Sequence, residues 1–232
     1  LIQKLPKVNR DKIQMQQMQE REETLHQREP QKQKPLQSAE NNNKAGRIRI
    51  TFYTDPLCCW SLAFEKTWQK FVQQYGEEVS YHYVLCGIIP DWDTYKDDMN
   101  SVSKPLHMGP VWMHASEVTH VPMNYSIWHE DPPASSYPSC IAVKTAGLQS
   151  PVAEESFLQN VRKALMVEGK NISKTSVLME LAQKMDSEDF SFEQFRSDWN
   201  QGLGRNAFRE DLRKAKLNSI GRYPSLTFLN SD

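Results

Sequence analysis

Cysteine is scarce in this sequence: Cys58, Cys59, Cys86 and Cys140 are the four in 232 residues. That is too few, and too unevenly placed, for a disulfide framework in a chain of this length. No pair of them stands beside histidines at zinc-ligand spacing, and the six histidines are scattered, so no metal centre is expected. Charge of one sign is also lacking. The balance of 28 basic against 29 acidic residues leaves no whole-chain footprint for nucleic acid. There is no run of 18 apolar residues, which argues against a membrane-spanning helix. No basic segment followed by an apolar stretch opens the chain, so the expected location is the cytoplasm. The first residue is Leu1 rather than methionine, and the sequence is read as a fragment. Neither a Gly-rich phosphate loop nor a Gly-x-Ser-x-Gly elbow is present.

What is there divides by composition. Residues 1–47 are rich in glutamine, sparse in apolar residues after Leu5, and carry a net charge of +4 against −5 for the remainder. A segment of this kind cannot bury enough surface to offset the entropy of ordering it, and it reads as a disordered, basic tail. From residue 48 the pattern changes. Ile48, Ile50 and Phe52 alternate with Arg49, Thr51 and Tyr53, the period-two signature of a strand. Leu62, Phe64, Trp68, Phe71, Val72 and Tyr75 then recur near a spacing of 3.6, which predicts a helix with one apolar side. Val79, Tyr81, Tyr83 and Leu85 predict a second strand, completing a βαβ unit with parallel strands.

Cys58 and Cys59 stand where the first strand hands over to the helix. A thiol at the first turn faces unpaired N–H groups and the positive end of the helix dipole. Both favour the thiolate, which is the nucleophile. Free cysteine is also a common small core residue, but strand ends are where α/β folds present chemistry.

Tyr53-Thr54-Asp55-Pro56-Leu57-Cys58-Cys59-Trp60-Ser61 resembles the active-site segment of the DsbA-like and FrnE-like branch of the thioredoxin superfamily. Two further segments extend the resemblance. Asp131 to Cys140 is similar to a helix-opening segment of FrnE-like proteins, and Arg222-Tyr223-Pro224-Ser225-Leu226-Thr227-Phe228 looks like the cis-proline loop with its following strand. The implied fold is α/β, a thioredoxin-like fold with a helical insertion that stops after the third strand. Its implied parts are a βαβ half at 48–90, a helical insertion at 91–216, and the cis-proline loop with the third strand at 217–232. The resemblance implies that Cys58 is the attacking thiol, with Cys59 and Ser61 the other catalytic candidates. It also implies that Trp60, Tyr223 and Pro224 contact substrate, with Tyr223–Pro224 a cis peptide.

Ser61 occupies the place where the family usually has its resolving cysteine. Cys59, Cys86 and Cys140 are therefore open as resolving thiols, and so is a monothiol cycle in which glutathione, as co-substrate, releases Cys58. Three functions follow from the resemblance. The first is thiol–disulfide exchange with protein or small-molecule disulfides. The second is a glutathione-dependent transferase or isomerase, because Cys58-Cys59-Trp60-Ser61 keeps the aromatic and final serine of the Ser-Pro-Tyr-Ser run in kappa-class relatives. The third is a non-catalytic adaptor for a protease, with Trp60, Trp92, Tyr95, Trp112, Trp128 and Tyr223 forming an exposed aromatic groove. No tightly bound cofactor is expected.

Overall fold

A computed structural model describes residues 48–230; the expected tail at 1–47 lies outside the described residues. The first strand, β1, spans Ile48–Thr54, followed by helix α1 at Cys59–Tyr75 and strand β2 at Val79–Leu85. Strand β3, Ser225–Leu229, completes a sheet of order β2-β1-β3. β1 runs parallel to β2, with Phe52 opposite Tyr83, and antiparallel to β3, with Phe52 opposite Leu226.

The alternation in β1 sorts its side chains between two cores. Ile50 and Phe52 enter the main core, while Tyr53 packs on the other side with Val84, Cys86 and Ala215. Helix α1 lays Trp68 across the strands. Its ring meets Phe52 edge-on at 5.0 Å, and its Nε1 donates to the Tyr83 hydroxyl at 2.8 Å.

Between β2 and β3 lie α2 (Met108–Thr119), α3 (Ile127–Glu130), α4 (Tyr137–Gly147), α5 (Pro151–Met166), α6 (Thr175–Gln183), α7 (Phe192–Gln201) and α8 (Leu203–Leu217). Local chemistry marks several of their ends. The Ser150 hydroxyl accepts the Ala153 N–H at 2.9 Å, and Pro151, which has no N–H to leave unpaired, opens α5. The Ser135 hydroxyl accepts the Tyr137 N–H at 3.0 Å at the start of α4, while Ser136 turns back to Ile89. Gly204 lets α8 approach α4. A Cβ there would lie 2.0 Å from Thr145 Oγ1 and 2.7 Å from the Ile141 carbonyl oxygen.

The expected aromatic groove is only partly present. Trp112 and Trp128 are fully buried against one another, ring centroids 5.0 Å apart, and belong to the core. They follow the ordinary preference of large apolar rings for packing. Among the described residues, no helix is long and apolar enough to cross a membrane.

Candidate functional site

The turn from β1 into α1 is held by Asp55. Its Oδ1 accepts the Leu57 N–H and its Oδ2 the Ile88 N–H, both at 2.8 Å, so one buried carboxylate ties the turn to the segment after β2. Cys140, on α4, donates its thiol to Asp55 Oδ2 at 3.4 Å. Burial nevertheless pushes the Asp55 carboxyl above its ordinary range; the backbone N–H groups of Leu57 and Ile88 resist that shift.

Cys58 takes the N-cap position of α1 in extended backbone, and its O accepts the Ser61 N–H at 3.1 Å and the Leu62 N–H at 3.2 Å. Its side chain makes no capping bond. Burial raises the Cys58 thiol above the ordinary range, against the direction expected from the helix start alone. The Ser61 hydroxyl, the Ser61 N–H and the Arg162 guanidinium pull the other way. Cys59 is raised to about 12, mainly by burial and next by the neighbouring Cys58. Cys86 and Cys140 are raised too, by burial first and then by Asp55. All four cysteines are free thiols.

Cys58 is 6 % exposed, and that sliver opens into a cleft of about 820 Å³. Cys59, Trp60, Tyr95, Met108, Arg222 and Tyr223 are among the residues lining it. The Tyr223–Pro224 peptide is cis, as the resemblance implies. Pro224 faces a shallower adjoining hollow that it shares with Trp60 and Phe64. The structure thus brings Cys58, Cys59, Trp60 and Tyr223 to one cleft, with Pro224 at its neighbour. Ser61 lies wholly buried beneath. Cys140 sits behind Asp55, and Cys86 donates to the Val84 carbonyl oxygen at 3.4 Å on the second core's side of β2. Among the described residues, no group of three or more His, Cys, Asp or Glu side chains is placed to hold a metal ion.

Sequence reasoning missed Thr54 and Arg162. Arg162 donates to both Thr54 Oγ1 and Glu65 Oε2, the latter at 3.0 Å. A signal was present, since Arg162 interrupts the apolar stripe Phe157, Leu158, Val161, Leu165 and Met166 of α5. A charge on a core-facing stripe calls for a buried partner.

Comparison with known proteins places this geometry. The ClpXP adapter protein SpxH of Halalkalibacterium halodurans is 27% identical over 195 residues, 83% of this chain and 62% of that protein. SpxH of Bacillus subtilis is 28% identical over 188 residues, 79% of this chain and 59% of that protein. The chain therefore spans about three fifths of the length of these curated relatives. Among solved structures, the cytosolic disulfide reductase DsbM of Pseudomonas aeruginosa, with glutathione, matches with a TM-score of 0.58 at 17% identity. That match covers 79% of this chain and 89% of DsbM, and it shows a shared fold. The thioredoxin family model matches residues 52–232, and the chain belongs to that family.

Proposed function

We propose that the protein carries out thiol–disulfide exchange with Cys58 as its nucleophile. The observation that supports this most is the placement of Cys58: an N-cap thiol at the end of β1, opening into a cleft bounded by the Tyr223 loop. In the proposed cycle the Cys58 thiolate attacks one sulfur of a substrate disulfide. The substrate S–S bond breaks, a Cys58 mixed disulfide forms, and the displaced thiolate takes a proton from water. A second thiol, with glutathione as the small-molecule candidate, then attacks the substrate sulfur of the mixed disulfide; the bond to Cys58 breaks, Cys58 leaves as thiolate, and the substrate departs disulfide-bonded to that thiol. This monothiol cycle suits a site with serine at position 61. Cys59 does not suit the resolving role, because its thiol is raised to about 12 and a disulfide between adjacent residues closes a strained ring. Trp60, Tyr223 and Pro224 are proposed as the walls that receive an extended substrate.

A second reading is that the cleft binds a protein partner without turnover, as an adaptor. It is favoured by the SpxH relatives, which are named as adapters of ClpXP. Reduction of insulin by glutathione, followed with and without the protein, separates the two. Turnover that vanishes in Cys58→Ser and survives in Cys140→Ala supports exchange. No stimulation by the wild-type chain, together with undiminished partner binding by Cys58→Ser, supports the adaptor. Glutathione conjugation in the same preparation tests the transferase alternative.

A further inference from the structure

Beneath Cys58 runs a buried file of polar groups whose direction is fixed by chemistry. At its far end is Arg162, on α5, with a guanidinium that can only donate. Nη1 donates to Glu65 Oε2 at 3.0 Å and Nη2 donates to Thr54 Oγ1, at the end of β1. The Thr54 hydroxyl, having accepted from the guanidinium, donates its own proton to Ser61 Oγ at 2.8 Å. The Ser61 hydroxyl, having accepted from Thr54, keeps its own proton to donate; Ser61 stands on the first turn of α1, its N–H on the Cys58 carbonyl oxygen at 3.1 Å, and its side chain favours the Cys58 thiolate. Thr54 and Ser61 are wholly buried and Arg162 nearly so, so water does not compete along the file. Glu65, the counter-charge of the guanidinium, lies one helical turn beyond Ser61 on α1.

We infer that Arg162 and Thr54 are positioning residues that act through Ser61, orienting its proton toward Cys58 and so favouring the thiolate against the burial that opposes it. The cation does more than place a positive field near the sulfur. Through two hydroxyls it fixes which way each proton points, and a charge-assisted donor at the start of the file strengthens every bond along it. The other groups that face Cys58 differ in kind. Asp55, on the β1–α1 turn, disfavours the thiolate, and Cys59, Tyr95 and Tyr223 are neutral groups with raised pKa values that share its cleft. None of them replaces the Ser61 proton.

The inference rests on Cys58 being the nucleophile, yet its test needs no disulfide substrate, so its failure is distinct from an absence of turnover. In the full chain carrying Cys59→Ala, the rate of Cys58 alkylation by iodoacetamide is followed against pH by peptide mapping. Thr54→Val keeps the volume and removes the link. It is expected to raise the half-alkylation pH by about one unit, roughly tenfold in rate at neutral pH. Arg162→Met should shift the profile the same way, and the double variant should shift it no further than the larger single change. Glu65→Gln frees the guanidinium from its counter-charge and should shift the profile downward, a reversal that loosened packing does not produce. Should Arg162→Met fail to fold, Thr54→Val and Glu65→Gln carry the test between them. An unchanged profile in Thr54→Val overturns the file, as do fully additive shifts or a Glu65→Gln shift in the same direction as Thr54→Val.

Discussion

Cys58 stands between two opposing effects. Burial disfavours its thiolate, while the Ser61 hydroxyl, the Ser61 N–H and Arg162 favour it, and burial is the larger. The thiolate fraction therefore grows as pH climbs toward a raised value, and alkylation of Cys58 should accelerate steadily from neutral pH upward. Ser61 is the substitution that weighs the two effects. A hydrogen bond to a charged group contributes about 1.5–3 kcal/mol, or roughly one to two pKa units. Ser61→Ala should raise the alkylation midpoint by that amount and slow exchange at neutral pH; an unmoved midpoint makes Ser61 a bystander. Ser61→Cys should supply the missing second sulfur and make turnover independent of added glutathione. The place of residue 58 at the start of α1 was legible in the sequence because a strand, a thiol and a helix follow one another directly. The direction of its pKa was not, because burial at that point is set by the segment after β2 and by the loop carrying Tyr223, both remote in sequence.

Helices α4, α5 and α8 are joined by one buried cation. Lys144 Nζ lies 2.6 Å from Glu154 Oε1 and 3.1 Å from Asp211 Oδ2, and Asp211 Oδ2 also accepts the Leu85 N–H of β2 at 2.9 Å. Through Asp211, Lys144 thus ties three helices to β2 of the sheet. Removing it strands two buried carboxylates, and breaking a buried pair costs about 3–5 kcal/mol. Lys144→Met should lower the urea midpoint by that equivalent, whereas Lys184→Met, which removes an exposed ion pair with Glu180, should change it little. Helix α1 was readable from apolar spacing. The triad was not, because Lys144, Glu154 and Asp211 look like ordinary surface charges until three helices converge. Trp112 and Trp128 failed as groove residues for a related reason: periodicity shows that a ring has a buried side, but not which element covers it.

At the scale of the whole molecule, the strand–helix–strand opening, the helical block and the returning strand at Ser225 were legible as an ordered pattern. The polar connections that seat the site, Asp55 with Cys140 and Thr54 with Arg162, join residues 85 and 108 positions apart and leave no local signature. The four buried thiols also give the fold a collective pH response. Each has a folded-state pKa raised above its unfolded value of about 8.5, so their stabilising contribution is complete below that pH and is lost as pH rises through the raised values. The urea midpoint should therefore fall between pH 8 and pH 11, and an unchanged midpoint contradicts the burial described for them. The central claim is that Cys58 is the reactive sulfur. Its most direct test is to incubate the protein with glutathione disulfide at pH 8 and map the adduct by peptide mass spectrometry, with Cys59→Ala alongside to separate the adjacent thiols. The account predicts one glutathione on Cys58 and none in Cys58→Ser; an adduct on Cys86 or Cys140 formed as fast, or one undiminished in Cys58→Ser, would contradict it.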